Sequence, residues 1–291
     1  MELIYKIKKP ETIVNFLHEN NVPLKIIEME DGKHKVFVNH NLKLLKDTVK
    51  KGDHLHVFIL NEDRDNLVVP EKMDLEIAYE DDYILVVNKP SNIQIMVTKA
   101  HPHGTLANGL QQYYIENNIL SQIHFVNRLD KESSGLMIIA KNRFIKFLLS
   151  SKTEGEIQRE YYCIIDGILD LKRSCIDLPI GRQENTIKRE VQMSGEECST
   201  SYQVVKEFGH YTLVKIISET GKAHQIRVHF SHFSYPVVGD DLYNNNRYKV
   251  DQMLLFSYRV SFQHPINDLV VDLSLEIPEA FEKFMKENGA K

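Results

Sequence analysis

Cysteine is scarce in this chain of 291 residues: Cys163, Cys175 and Cys198 stand far apart, with no Cys-x-x-Cys pair. That spacing argues against a disulfide framework and a zinc site, and it suits a reducing cytoplasm. Long apolar runs are missing too. No stretch approaches the ~20 residues of a membrane span, and the start, Met1-Glu2-Leu3-Ile4-Tyr5-Lys6, lacks an apolar signal-peptide core. A soluble, unprocessed, cytoplasmic protein is therefore expected. A basic excess is absent as well: 36 Lys and Arg face 41 Asp and Glu, for a net charge of -5. This excludes nonspecific coating of nucleic acid while leaving room for a local basic groove. There is no internal repeat and no Pro/Gly-rich or low-complexity tract. With 42% hydrophobic and 26% charged residues the composition is that of an ordinary globular protein.

What is present divides at a hydrophilic stretch, Asn61-Glu62-Asp63-Arg64-Asp65-Asn66. The expected organisation is a small unit over residues 1–65, a linker over 66–74 and a main domain over 75–291. In the first unit, Thr12 is placed to cap a helix that begins Ile13-Val14-Asn15-Phe16-Leu17, and Lys35–Asn39 and Leu55–Ile59 alternate like strands. Beyond the linker the apolar runs are short, β-branched and separated by turn residues: Ile84–Val87, Gly135–Ile139 and Tyr161–Ile165 read as strands. Helical patterns occur at Phe144–Leu149, with Asn142 as cap, and at Glu279–Glu287 after Pro278. Regular βαβ alternation is lacking, so an α+β fold on a largely antiparallel sheet with flanking helices is expected.

The segment of greatest chemical interest is Asn127-Arg128-Leu129-Asp130-Lys131-Glu132-Ser133-Ser134-Gly135, a charged loop leading into a strand. Alone, Arg-Leu-Asp reads as a solvated surface turn. Its neighbours change that reading. Val86-Val87-Asn88-Lys89-Pro90, Gly104-Thr105-Leu106-Ala107-Asn108 and Leu136 with Ala140-Lys141 accompany it. Arg159-Glu160-Tyr161, Leu178-Pro179-Ile180-Gly181-Arg182 and Thr220-Gly221-Lys222-Ala223-His224-Gln225-Ile226-Arg227-Val228-His229 follow in order, ending in Pro236-Val237-Val238-Gly239-Asp240. Over about residues 75–275 this series resembles the RluA-type pseudouridine synthases.

The resemblance implies the pseudouridine synthase fold and conversion of uridine to pseudouridine in structured RNA. Ribosomal large-subunit RNA is the first expectation and transfer RNA the second, with a monomeric protein and no metal or cofactor. It assigns Asp130 as the catalytic carboxylate, acting while the base is detached, rotated and rejoined through carbon 5. A carboxylate suits a reaction that builds positive charge on a sugar. The resemblance pairs Asp130 with Arg227, whose guanidinium stays charged when desolvated, and makes Tyr161 the platform for the flipped uracil. It gives Arg128 the task of extruding the nucleotide. Lys222 is a phosphate contact, and Lys89, while shaping the fold, is a further one. Residues 224–233 suit a helix whose apolar face carries Ile226, Phe230 and Phe233. His224, His229 and His232 lack acidic or cysteine partners at ligand spacing, so a metal site is not expected.

The N-terminal pattern, Lys35–Asn39 followed by Val49-Lys50-Lys51-Gly52-Asp53-His54-Leu55, resembles a degenerate small α/β RNA-binding domain shared with a ribosomal small-subunit protein. Its usual arginine-rich helix is absent, so Lys50 and Lys51, with other lysines, would supply phosphate contacts; a merely solvated lysine face is the alternative. The main domain also departs from the family pattern. Asn127 stands where the family has histidine, and Lys222-Ala223 where it has Arg-Thr; if that threonine caps the helix, Ala223 forfeits the bond. These departures motivate a second reading, a catalytically inactive RNA-binding paralogue or ribosome assembly factor. A third, a nucleoside or glycoside hydrolase, lacks a second acidic partner.

Overall fold

Two β-sheets with their own helices organise the chain. The computed structural model describes residues 1–65, 67–151, 156–244, 248, 250–267 and 269–289; Asn66, first residue of the expected linker, lies outside the described residues. The first sheet contains β1 (Glu2–Lys6), β2 (Val36–Val38), β3 (Asn41–Leu42) and β4 (His54–Phe58), all antiparallel in the order β1-β4-β2-β3. Helix α1 (Ile13–Glu19) starts at the expected cap, Thr12 Oγ1 accepting from the Asn15 amide at 3.4 Å. Its Ile13, Phe16 and Leu17 pack with Val36, Leu55 and Val57.

The second sheet has ten strands: β5 (Glu76–Glu80), β6 (Ile84–Lys89), β7 (His124–Phe125), β8 (Ser134–Ala140), β9 (Ile157–Asp166), β10 (Arg173–Asp177), β11 (Ser199–Phe208), β12 (Tyr211–Ser218), β13 (Leu255–Gln263) and β14 (Val270–Ser274). Their order is β10-β11-β12-β9-β13-β8-β6-β5, with β7 attached to β8 and β14 to β13. Four helices complete it: α2 (Leu106–Glu116), α3 (Arg143–Ser150), α4 (Gln225–His232) and α5 (Glu279–Glu287). Asn142 caps α3 as expected, its Oδ1 accepting from the Ile145 amide at 2.9 Å.

The apolar runs are continuous because both faces of this sheet are covered. Along β6, Leu85 and Val87 face a core shared with Leu106, Leu110 and Tyr114 of α2 and with Ile226 and Phe230 of α4. Ile84 and Val86 face the opposite way, against Ile145 and Leu149 of α3, and Phe281 and Phe284 of α5 cover that side near β13. The same alternation puts Tyr161 on the α2/α4 face, while Tyr162 stacks on Tyr258 on the other, ring centroids 4.2 Å apart.

All pairings in the large sheet are antiparallel except the junction of β8 with β13, where Ser134 lies opposite Phe256 and Gly135 opposite Ser257. The sheet is thus the largely antiparallel mixed sheet of an α+β fold. Ser257 also lies opposite Tyr161 across β9 and β13, at a register shift between Glu160 and Tyr161. Bulges of this kind re-aim side chains beside functional sites.

Within the hydrophilic stretch between the sheets, Glu62, Arg64 and Asp65 are tied to the larger sheet's domain. Buried Glu62 meets His124 Nε2 at 2.5 Å and Arg143 Nε at 2.7 Å. Arg64 Nε donates to the Ile119 carbonyl at 2.9 Å, and Gln111 Nε2 to the Asp65 carbonyl at 3.1 Å. Phe144 of α3 is part of the α1 core, so the two sheets are joined by apolar packing. Burying one such ring contributes about 1.5–3 kcal/mol. No helix among the described residues is long and apolar enough to cross a membrane.

Gly135 tests the parallel junction. Its φ is +113°, and a Cβ there would sit 2.2 Å from the Ser257 carbonyl oxygen. Gly135→Ala is expected to cost roughly 3 kcal/mol or more, lowering Tm by at least about 6 °C in a thermal melt.

Candidate active site

Three segments converge at this junction. The loop before β8 brings Asp130, the first turn of α4 brings Arg227, and β9 brings Tyr161; all three line one slot with Arg128, Lys222 and His224. Leu129 is 6% exposed and belongs to the core, so the loop is anchored between two polar residues. Asn127 anchors it again: its Oδ1 accepts from the Ile138 amide at 2.7 Å, and its Nδ2 donates to the Leu136 carbonyl at 3.3 Å. The asparagine thus ties the loop to β8 without touching the carboxylate.

Arg227 is the hub. It is 2% exposed, and its Nη1 donates to Asp130 Oδ2 at 2.9 Å and to Glu132 Oε2 at 3.4 Å. Its other edge is bidentate to Asp240, Nε to Oδ2 and Nη2 to Oδ1, both 2.8 Å. Asp240 Oδ1 also accepts from the amides of Leu242 and Tyr243 at 3.0 and 3.1 Å. The Tyr243 ring lies 5.2 Å from the guanidinium carbon. Burial opposes the charge on Arg227, but the hydrogen bonds and charge of Asp240, then those of Asp130, outweigh it and raise the pKa. The cation is therefore permanent.

Asp130 is partly open to the slot. Among the described residues its Oδ1 has no hydrogen bond, and His224 Nε2 is 3.9 Å away. His224 occupies the left-handed region, φ +58°, immediately before α4, and makes no side-chain cap. Its Nδ1 lies 2.8 Å from the Tyr243 hydroxyl, which itself accepts from the Arg189 amide at 2.7 Å. That contact holds the ring with Nε2 as the nitrogen nearer Asp130. Burial pushes the pKa of His224 down, against the pull of Asp130, so the ring is neutral at pH 7.

Tyr161 is 8% exposed, with its hydroxyl interacting with Ser257. Burial raises the phenol pKa. Its strand neighbour Glu160 faces away and binds Tyr258, Lys215 and Arg259 in a separate network.

Several expectations need correction. Lys89 cannot reach RNA: it is fully buried, and its ammonium donates to the carbonyls of Pro90, Ile93 and Lys131 at 2.8, 3.0 and 3.1 Å. Together with Ser91 Oγ, which donates to the Glu132 carbonyl, it braces the Asp130 loop from below. Phe233 is 49% exposed, because α4 ends at His232 and turns the ring out of the apolar face that Ile226 and Phe230 keep. The cap position of α4 is His224, so Ala223 is not the capping residue; Gln225 Oε1 instead accepts from the Lys222 amide at 3.1 Å.

Arg128 is exposed at the mouth of the slot with no ion pair among the described residues; Glu132 turns to Arg227 instead. Lys222 lines the slot and pairs with Glu196 at 2.9 Å. Lys50 and Lys51 are exposed at the turn before β4 and are not among the residues that line the slot. His229 is buried against Thr200 and the Leu178 carbonyl.

The sequence reading missed Asp240 and Tyr243 as partners in the site. Gly239-Asp240 was visible as a motif, but nothing in its spacing points to Arg227, 13 residues earlier.

Comparison with known proteins identifies the family. The family model described as RNA pseudouridylate synthase matches residues 83–232, slightly more than half of the chain. The chain belongs to the RNA pseudouridine synthases, is of the RluA type, and is an isomerase acting on RNA. It is 31% identical over 278 residues to the uncharacterized RNA pseudouridine synthase YjbO of Bacillus subtilis (strain 168), covering 94% of this chain and 98% of that one. It is 35% identical over 235 residues to ribosomal large subunit pseudouridine synthase D of Buchnera aphidicola subsp. Acyrthosiphon pisum (strain APS), covering 75% and 74%. The fold is also that of human RNA pseudouridylate synthase domain containing 1, with a TM-score of 0.58, 22% identity and coverage of 70% and 83%.

The brace beneath the loop has a pH signature. Burial, opposed by Glu132 and Asp130, lowers the pKa of Lys89 to about 8. Between pH 8 and the ordinary lysine value the unfolded chain binds the extra proton, so stability contributed by Lys89 rises with pH across that window. Below pH 8 the full burial penalty applies. The stability of wild type relative to Lys89→Met, from urea melts at pH 7 to 10.5, is expected to increase by up to about 3 kcal/mol.

Proposed function

We propose that this synthase isomerises uridine in ribosomal large-subunit RNA, in the cytoplasm, with Asp130 as the catalytic carboxylate. The observation that carries the assignment is the asymmetry of Asp130. One oxygen is held by a buried, permanently charged arginine, and the other faces the slot. The ion pair keeps the carboxylate oriented, while Oδ1 is free to meet the sugar or base of a flipped uridine. Positive charge that develops on the sugar as the nucleosidic bond breaks is then stabilised by a carboxylate in a partly dry site.

Tyr161 supplies the wall on which the uracil stacks, held in place by the bulge opposite Ser257. Arg128 enters the space the uridine vacates or grips its phosphate, offsetting a few kcal/mol of unstacking. Lys222 contributes to the phosphate path. The choice of ribosomal RNA rests on the relatives named as large-subunit synthases. Transfer RNA is the second candidate. The N-terminal unit, residues 1–65, is a second RNA contact through Lys50 and Lys51, which are exposed and available to phosphates.

Mapping pseudouridines in total RNA from cells lacking the gene, complemented with wild type or with variants, tests this. At least one large-subunit uridine is expected to require the gene and to stay unmodified with Asp130→Asn. Arg227→Lys, which cannot serve both carboxylates with the same fork, is expected to lower kcat at least 100-fold. Tyr161→Phe is expected to retain activity within about tenfold, and Tyr161→Ala to lose roughly 5- to 150-fold, the worth of one stacked base. Modification that survives Asp130→Asn would sink the assignment.

A further inference from the structure

The catalytic slot continues into a wider groove of about 1560 Å³, which shares Arg128, Leu129, Asp130, Gly221 and His224 with it. Its lining combines two chemistries: Met96, Ile123 and Phe125 contribute apolar surface, and Arg128, Lys146 and Arg159 contribute positive charge. Met96 is 48% exposed although it is apolar. Its backbone is nonetheless fixed, because the first amides of α2 donate to the carbonyls just before it: Leu106 to Gln94 at 2.8 Å and Ala107 to Ile95 at 3.0 Å. These bonds satisfy donors that a helix start leaves unpaired, and so hold the Met96 segment at the mouth of the site. Phe125 is set by its pairing with Ile139 of β8.

Among the cations, Lys146 is exposed on α3 with no ion pair among the described residues. Arg159 uses one amino group on the Glu219 carbonyl at 3.1 Å, and among the described residues its buried Nε has no partner. Apolar surface and positive charge lining one groove match a nucleotide, whose base has an apolar face and whose phosphate is anionic.

We propose that this groove is a subsite for the nucleotide adjacent to the target uridine, its base unstacked from the RNA and laid against Met96 and Phe125 and its phosphate held by Lys146 and Arg159. The inference rests on the reading of Asp130 as the catalytic centre, since adjacency is measured from the uridine at that carboxylate. The subsite would select RNA in which the neighbour of the target is unpaired. It would do so through stacking and would tolerate any base, because every base offers a π-face.

The probe is a synthetic RNA containing the mapped uridine, made intact and with a single abasic residue on either side of it. With wild type, one abasic RNA is expected to raise KM about tenfold while leaving kcat within twofold. With Met96→Ala or Phe125→Ala the intact RNA already shows the raised KM, and the abasic change adds less than twofold. Met96→Ala removes an exposed side chain, so its melt should match wild type; Phe125→Ala alone losing function through unfolding would be visible in its own melt. Lys146→Gln is expected to raise KM for intact and abasic RNA alike. If neither abasic RNA changes KM, or if Met96→Ala and wild type respond to it equally, the base is not held in this groove and the proposal fails. If no uridine depends on Asp130, the catalytic reading fails first, and the subsite falls with it.

Discussion

A buried guanidinium needs compensation on every edge, and much of this site follows from how Arg227 obtains it. A lone cation taken out of water costs several kcal/mol, recovered only when its hydrogen bonds are filled by well-placed carboxylates. Asp240 fills two of them and takes two backbone amides in return, so it is itself fixed before the RNA arrives. What remains of the arginine points at Asp130. The Asp130 loop is thus docked onto a preassembled ion pair, and the geometry of the carboxylate is set by a residue 97 positions away.

The rest of the site is built to protect that docking. Leu129 sinks into the core, Asn127 is tied to the backbone of β8, and Lys89 and Ser91 hold the carbonyls of Lys131 and Glu132. Gly135 lets β8 approach β13 closely, which places Ser257 between the loop strand and Tyr161. Each of these contacts immobilises backbone, and none uses the free oxygen of Asp130. Rigid positioning of one reactive atom is what effective catalysis by orientation demands. The departures from the family pattern at Asn127 and Ala223 are benign for the same reason: both residues belong to the frame, and their partners are backbone groups or none at all.

Much of the fold was legible because alternation and capping are local signals. Thr12 and Asn142 announce helices through a side-chain oxygen three residues before an unpaired amide. Tyr161 and Tyr162 diverge because adjacent strand residues face opposite sides. Lys89 shows where such reasoning ends. A lysine after a strand, before a proline, looks like a surface cation, and only the turn of Pro90–Ile93 and the position of Lys131 supply the three carbonyls that bury it. Phe233 fails similarly: helical spacing put it on the apolar face, but α4 had already ended.

By itself the sequence determined the α+β class, the family, the ordered motifs and the three residues Asp130, Tyr161 and Arg227 that meet in one slot. Those are properties of residue type and order. The tertiary structure alone decided that Asp240 completes the arginine, that Tyr243 orients His224, that Lys89 is a brace, and that the slot opens into a groove lined by both apolar and cationic side chains. The reason is physical. Hydrogen bonds and burial depend on separations of a few ångströms between segments distant along the chain, and no local pattern encodes those separations until the sheet has brought β8, β9 and β13 side by side.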